Sequence, residues 1–177
     1  LGTVEHHALE ESVRPAFEEF VRNLAGPATA RMGWDPGPGD SDLERKLRGE
    51  LIAAMGILGR DTGTIERCRA IVSDLLAGES VDPEVTTAAL TVFARFGTAD
   101  DYDALWRAYK EAKTPLDQVR YLRSVAGVPA VEQALSTIDK VINGDIRTQD
   151  GFWVFARLLV GKSGPQVWSN AASRWDS

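Results

Sequence analysis

The chain has 177 residues, 44% of them hydrophobic and 26% charged, with 20 basic and 26 acidic side chains for a formal charge of −6. That is enough chain to bury one sizeable core, and the acidic balance argues against a phosphate-binding surface, so no nucleic-acid partner is expected. The single cysteine, Cys68, excludes an internal disulfide and a multi-cysteine zinc site, and no apolar run reaches the ~20 residues that span a bilayer, so no membrane partner is expected either.

In chain order, Val4 to Leu24 reads as one helix or two, with Pro15 as a break or a new start. The segment from Asp35 to Asp42, DPGPGDSD, forbids regular structure and is a surface loop. Ser41 followed by Glu44 predicts a capping box for a helix whose apolar face is Leu43, Leu47, Leu51, Met55 and Leu58, ended by Gly59. Ile65, Cys68, Ile71, Val72 and Leu75 mark the next helix, closed by Gly78. The following one carries Val85, Ala89, Val92, Phe93 and Phe96, with Asp82 as N-cap, Pro83 at its first position and Gly97 as its stop. Tyr102, Leu105, Trp106 and Tyr109 share a face behind the acidic start Asp100, Asp101 and Asp103, whose carboxylates suit a helix N-terminus. Thr114 and Pro115 open a short helix burying Leu116, Val119 and Leu122, and the helix after it presents Val131, Leu135, Ile138 and Ile142. Phe152 to Val160 is apolar almost all round, which predicts an enclosed helix. Val167, Trp168, Ala171 and Trp175 form the last face, where Trp168 and Trp175, seven apart, are placed to lock the helix down. The class is all-α. About nine helices in antiparallel hairpins of roughly 35–40 residues suggest a HEAT/armadillo-like, right-handed superhelix in a single domain over residues 1–177.

Candidate chemistry is sparse. The chain's histidines, His6 and His7, are adjacent, so they diverge by about 100° on a helix and cannot share a metal from one face. His7 and Glu11 have ligand spacing, but no motif supplies a third ligand, so no metal site is assigned. The run from Ala156 to Ser163 fits a relaxed phosphate-loop pattern, yet its variable positions Arg157, Leu158, Leu159 and Val160 are helix formers with no strand before them. Gly161 therefore reads as a helix end. Cys68, on an apolar face, is a small hydrophobe.

Met32-Gly33-Trp34 before the Pro/Gly loop, then Glu44 and Leu47-Arg48, and the run from Phe96-Gly97 to Pro115 form an ordered set. It continues through Ile146-Arg147-Thr148-Gln149-Asp150 to an ending on Gly164, Trp168 and Trp175. The succession resembles the C-terminal helical domain of the aminopeptidase N family of zinc aminopeptidases, which includes the puromycin-sensitive and endoplasmic-reticulum enzymes. The likeness covers residues 31–177, and residues 1–30 read as starting inside the domain, with no signal peptide and no initiator methionine. Trp34, Arg48, Gln149, Asp150, Trp168 and Trp175 are the structural motif positions. The Gly164–Trp168 spacing, Arg174 and the Thr86-Thr87 pair depart from the family pattern.

The resemblance implies a non-catalytic part of a cytoplasmic metallopeptidase. The family's catalytic His-Glu-x-x-His and Gly-x-Met-Glu-Asn motifs are not in this sequence, so the catalytic domain, and the zinc it implies, lie elsewhere in the parent polypeptide. Its partners are then that catalytic domain and a peptide substrate, with weak self-association of the detached domain through apolar surface. The resemblance implies a cover over the active-site cavity that limits or contacts peptide, with Arg147 and then Arg157 as the residues to pair with a substrate carboxylate. The residues themselves favour another role for Arg147: Arg-x-Gln-Asp at a helix junction, with Asp150 capping the next helix and Arg147 and Gln149 satisfying loose carbonyls. The alternative reading of the whole chain is a free-standing helical-repeat module that binds a partner peptide.

Overall fold

The computed structural model describes residues 10–174. These contain nine α-helices, one π-helical segment and no strand: α1 (Arg14–Met32), α2 (Asp42–Ala53), the π segment (Ala54–Leu58), α3 (Thr62–Leu76), α4 (Pro83–Arg95), α5 (Ala99–Glu111), α6 (Pro115–Val125), α7 (Val131–Ile142), α8 (Thr148–Val160) and α9 (Gly164–Ala172). No described helix is long and apolar enough to cross a membrane. The chain divides into two compact units, Leu1–Phe93 and Ala94–Ser177.

In the first unit, Pro15 lies in the opening turn of α1, where its missing N–H is not needed. The helix continues past Leu24, the end expected from sequence, and carries Pro27 inside it as far as Met32. Gly33, at φ 66°, turns the chain away in a conformation that suits glycine. The capping box of α2 forms as expected: the Ser41 hydroxyl accepts from the Glu44 amide at 3.3 Å, and the Glu44 carboxylate accepts from the Ser41 amide at 2.8 Å.

The apolar face predicted for α2 is corrected. Leu43 and Leu47 are exposed, and the buried positions are Arg48, Gly49 and Ile52, then Met55 and Gly56 in the π segment. Steps of four residues advance roughly 40° per step on a helix, so the stripe from Leu43 winds from solvent into the core as it approaches Met55. The π segment packs against α1, α2 and α3. At Gly56 a Cβ would stand 2.7 Å from Val92 Cγ2, so the glycine is what lets α4 approach. The expected core of α3 and α4 is present, with Cys68, Ile71, Val72, Val85, Ala89 and Val92 all buried. Asp82 caps α4, accepting from the Glu84 and Val85 amides at 3.0 and 3.2 Å.

In the second unit, Thr98 and Asp101 form the capping box that accounts for the acidic start of α5. Thr114 caps α6, accepting from the Asp117 amide at 3.1 Å. Tyr109, Leu122, Ile138, Val154, Leu158 and Val167 form the core, drawn from α5 through α9. A buried polar pair crosses it: Tyr102 Oη lies 3.0 Å from Thr137 Oγ1. Thr137 commits its proton to the Gln133 carbonyl at 2.8 Å, so Tyr102 is the donor between them.

Four expectations about burial fail here. Phe152 is 81% exposed and Val160 64% exposed, so α8 is not enclosed; Gly151, Val154 and Leu158 alone form its buried face. Leu116 on the first turn of α6 is exposed, as are Val131 and Ile142 at the ends of α7. Trp168 does not lock α9, being 56% exposed; fully buried Val167 anchors that helix instead. Helix ends and faces turned from any neighbour stay in solvent whatever their composition, because burial requires a partner surface.

Candidate functional site

The sequence motif residues of the first unit gather around one buried guanidinium. Arg48, 3% exposed, is held by the Asp40 carboxylate and donates Nε and Nη2 to the Met32 carbonyl, each at 3.4 Å. The same carboxylate accepts from the Gly37 amide at 3.0 Å. The Pro/Gly loop is thus pinned at both ends, and Trp34, half-buried, sits between the pins. Hydrogen bonding from Arg48 holds the Asp40 carboxyl below its ordinary value, and the bond from Ser41 does the same for Glu44.

In the second unit, the two candidate arginines stand at opposite ends of α8, ten residues and about 15 Å of helix apart. They do not form one site. Arg147, at the N-cap position and exposed, donates to Gln118 Oε1 at 2.8 Å, which joins the α8 start to α6. Gln149 is exposed on the first turn. Asp150 does not cap α8 with its side chain; it lies within the first turn and accepts from Trp153 Nε1 at 3.1 Å. The junction is therefore fastened by side-chain pairs rather than by the carbonyl contacts expected for Arg147.

Arg157 lies in the last turn of α8, its guanidinium near Gly127 just beyond the end of α6. Crowding there lowers its pKa, and the charge of Arg123 adds to the effect. The residue as a whole is exposed, so this is local crowding of the guanidinium, not enclosure of the side chain, and it remains a cation. Arg123 in turn lies 6.0 Å from the centre of the Trp153 ring. Arg123 and Trp153 were not among the residues singled out from sequence, and no spacing rule links positions in two helices this far apart in the chain. Two guanidinium groups with an aromatic beside them can take a carboxylate.

Other residues are accounted for structurally. Ser163, in the phosphate-loop-like run, donates to the Pro129 carbonyl at 2.9 Å, and Gly161 ends α8. Cys68 is fully buried, and burial pushes its thiol up to about 12. Among the described residues no three His, Cys, Asp or Glu side chains cluster as a metal would need, so this donor set does not fit a zinc ion. His6, His7 and Trp175 lie outside the described residues.

The sequence matches the family described as the ERAP1-like C-terminal domain over residues 1–177. The chain belongs to this family. Among curated proteins it is similar to aminopeptidase M1-A of rice (Oryza sativa subsp. japonica), 28% identical with 90% of this chain and 19% of that protein covered. It is likewise similar to aminopeptidase M1 of Arabidopsis thaliana, 28% identical over 94% of this chain and 20% of that protein. Aminopeptidase 2 of Candida albicans is 21% identical over 94% of this chain and 18% of its own length. As a member of the ERAP1-like C-terminal domain family, the chain spans about a fifth of the relatives it matches.

Proposed function

We propose that this chain is the non-catalytic C-terminal helical domain of a cytoplasmic zinc aminopeptidase, covering the active-site cavity and limiting or contacting the peptide substrate. The whole-chain match to the ERAP1-like C-terminal domain family, in relatives named aminopeptidases that are about five times longer, carries this reading. Zinc and the hydrolytic residues belong, on this view, to a catalytic domain of the same polypeptide. Exposed apolar side chains support a docked neighbour: Phe20 and Leu24 on α1 in one unit, Phe152 on α8 in the other. The same surface accounts for weak self-association when the chain is alone. Within the second unit, Arg157 with Arg123 offers the better substrate-carboxylate contact, since the Arg147 guanidinium is already held by Gln118.

The upstream coding sequence should carry His-Glu-x-x-His. The decisive experiment joins the catalytic part with and without this chain and measures hydrolysis against peptide length. The expected result is a length limit that appears only when the chain is present, and a raised KM for longer peptides in Arg157→Ala. The same length profile with and without the chain would sink the proposal.

A further inference from the structure

The first unit holds an open cavity of about 190 Å³ between the Trp34 loop, one face of α3 and the start of α4. That is below the size of a typical cofactor or drug site and suits a single small molecule. Its inner wall is apolar, from Trp34 and the buried Ile71 and Val85. Its rim is charged with both signs. Arg67, Ile71 and Asp74 follow at i, i+4 and i+7 on α3 and so share a face, with about 10 Å of helix axis between the backbone positions of Arg67 and Asp74 and Ile71 in the middle. Asp35 faces them from the loop.

Among the described residues, the side chains of Asp35, Arg67 and Asp74 make no hydrogen bond or ion pair. Asp82 also lines the cavity, but its carboxylate is committed to the two cap amides of α4 and lies 3.7 Å from Arg45. The walls are preformed: the Arg48–Asp40 pair pins the Trp34 loop, and α3 is a continuous helix. A preformed site loses little order when it binds.

We propose that this cavity binds a free α-amino acid with an apolar side chain. The ammonium group sits between Asp35 and Asp74, the carboxylate pairs with Arg67, and the side chain lies over Ile71 against Trp34 and Val85. A simple cation leaves Arg67 opposed to it, a simple anion meets two carboxylates, and a purely apolar ligand leaves all three charges unused. A zwitterion meets all three. The site does not depend on the aminopeptidase reading.

The test is a titration of the chain with L-leucine, followed by NMR on the Trp34 indole N–H, with Trp34→Phe used to assign that signal. Leucinamide lacks the carboxylate, 4-methylpentanoate lacks the ammonium, and leucyl-leucine separates the two charges. We expect a saturable shift with leucine and roughly tenfold weaker binding of each of the three analogues. Arg67→Gln should abolish the preference for leucine over leucinamide, and Asp74→Asn should reduce its preference over 4-methylpentanoate; both side chains are exposed, so the fold is kept. No saturable shift, or equal binding of leucine and the two truncated analogues, overturns the proposal. Tighter binding of leucyl-leucine overturns it as well, because the site then belongs to peptides.

Discussion

The Nη2 atom of Arg48 donates both to the Asp40 carboxylate from the loop and to the Met32 carbonyl, which also accepts from Nε of the same guanidinium. One buried side chain thereby ties the end of α1, the Pro/Gly loop and α2 into a single joint. The Nη1 atom of Arg48 is buried without a partner, so the joint is not fully satisfied.

Arg48→Met should destabilise the chain by about 2 kcal/mol, less than the roughly 3–5 kcal/mol for breaking a fully buried pair, because the Asp40 side chain keeps 23% exposure and can rehydrate. Arg48→Lys should recover only part of the loss, since an ammonium cannot span both acceptors. Urea unfolding at neutral pH measures both. An Arg48→Met midpoint equal to the wild type would show that the joint contributes nothing.

Stability should fall in acid, and the sign follows from the direction of the shifts. Asp40 and Glu44 have folded pKa values below their ordinary 3.8 and 4.5. Each therefore contributes stability that is fully present above those values and lost as pH falls through the lower folded ones. The urea midpoint should drop between pH 5 and pH 2, roughly the carboxylate range. Asp40→Asn should flatten that drop; an unchanged pH profile in this variant contradicts the assignment.

Gly56→Ala should cost about 1–3 kcal/mol by overpacking against Val92. Combined with Val92→Ala, the two losses should be less than additive, because the second change removes the methyl groups that the first one meets. A double-mutant cycle on thermal unfolding reads the coupling. Strict additivity would mean that the helices shift apart instead.

Cys68 should resist alkylation. Its thiol, buried and pushed up to about 12, offers almost no thiolate at neutral pH. Labelling by iodoacetamide should track global unfolding in urea, and rapid labelling of the native chain would show that the α3 core opens locally.

What was legible in the sequence was what is decided within four residues. The pair Ser41–Glu44 forms the cap its spacing suggested, Asp82-Pro83 and Thr114-Pro115 open helices as read, and the acidic start of α5 lies at a helix N-terminus, where Thr98 adds a capping box not read from the sequence. Burial was less legible because it depends on a neighbouring surface. Leu43 and Leu47 looked like core by spacing, yet the drift of a four-residue step leaves them in solvent while the charged Arg48 goes inside. Phe152 looked enclosed by composition, but α8 is covered on one face only.

The sites were less legible still. Arg157 was the second candidate that the family resemblance implied; its neighbour Arg123 comes from another helix and is brought close only by folding. Arg67 and Asp74 flank a core position, Ile71, and read as ordinary solvated charges until Trp34 is seen across from them. Local chemistry writes itself into spacing, whereas convergence of distant segments does not.

The π segment has a consequence for chain length. Gly59 donates to Ala54, five residues back, so Ala54–Leu58 holds one residue more than an ordinary helical turn. Removing one residue there would let the backbone close as regular α-helix while Ile52 upstream and the chain beyond Gly59 keep their orientation. The segment is thus the point in the first unit at which a single-codon deletion is absorbed without rotating either flank, a place where the chain can shorten while the packing on both sides is inherited intact.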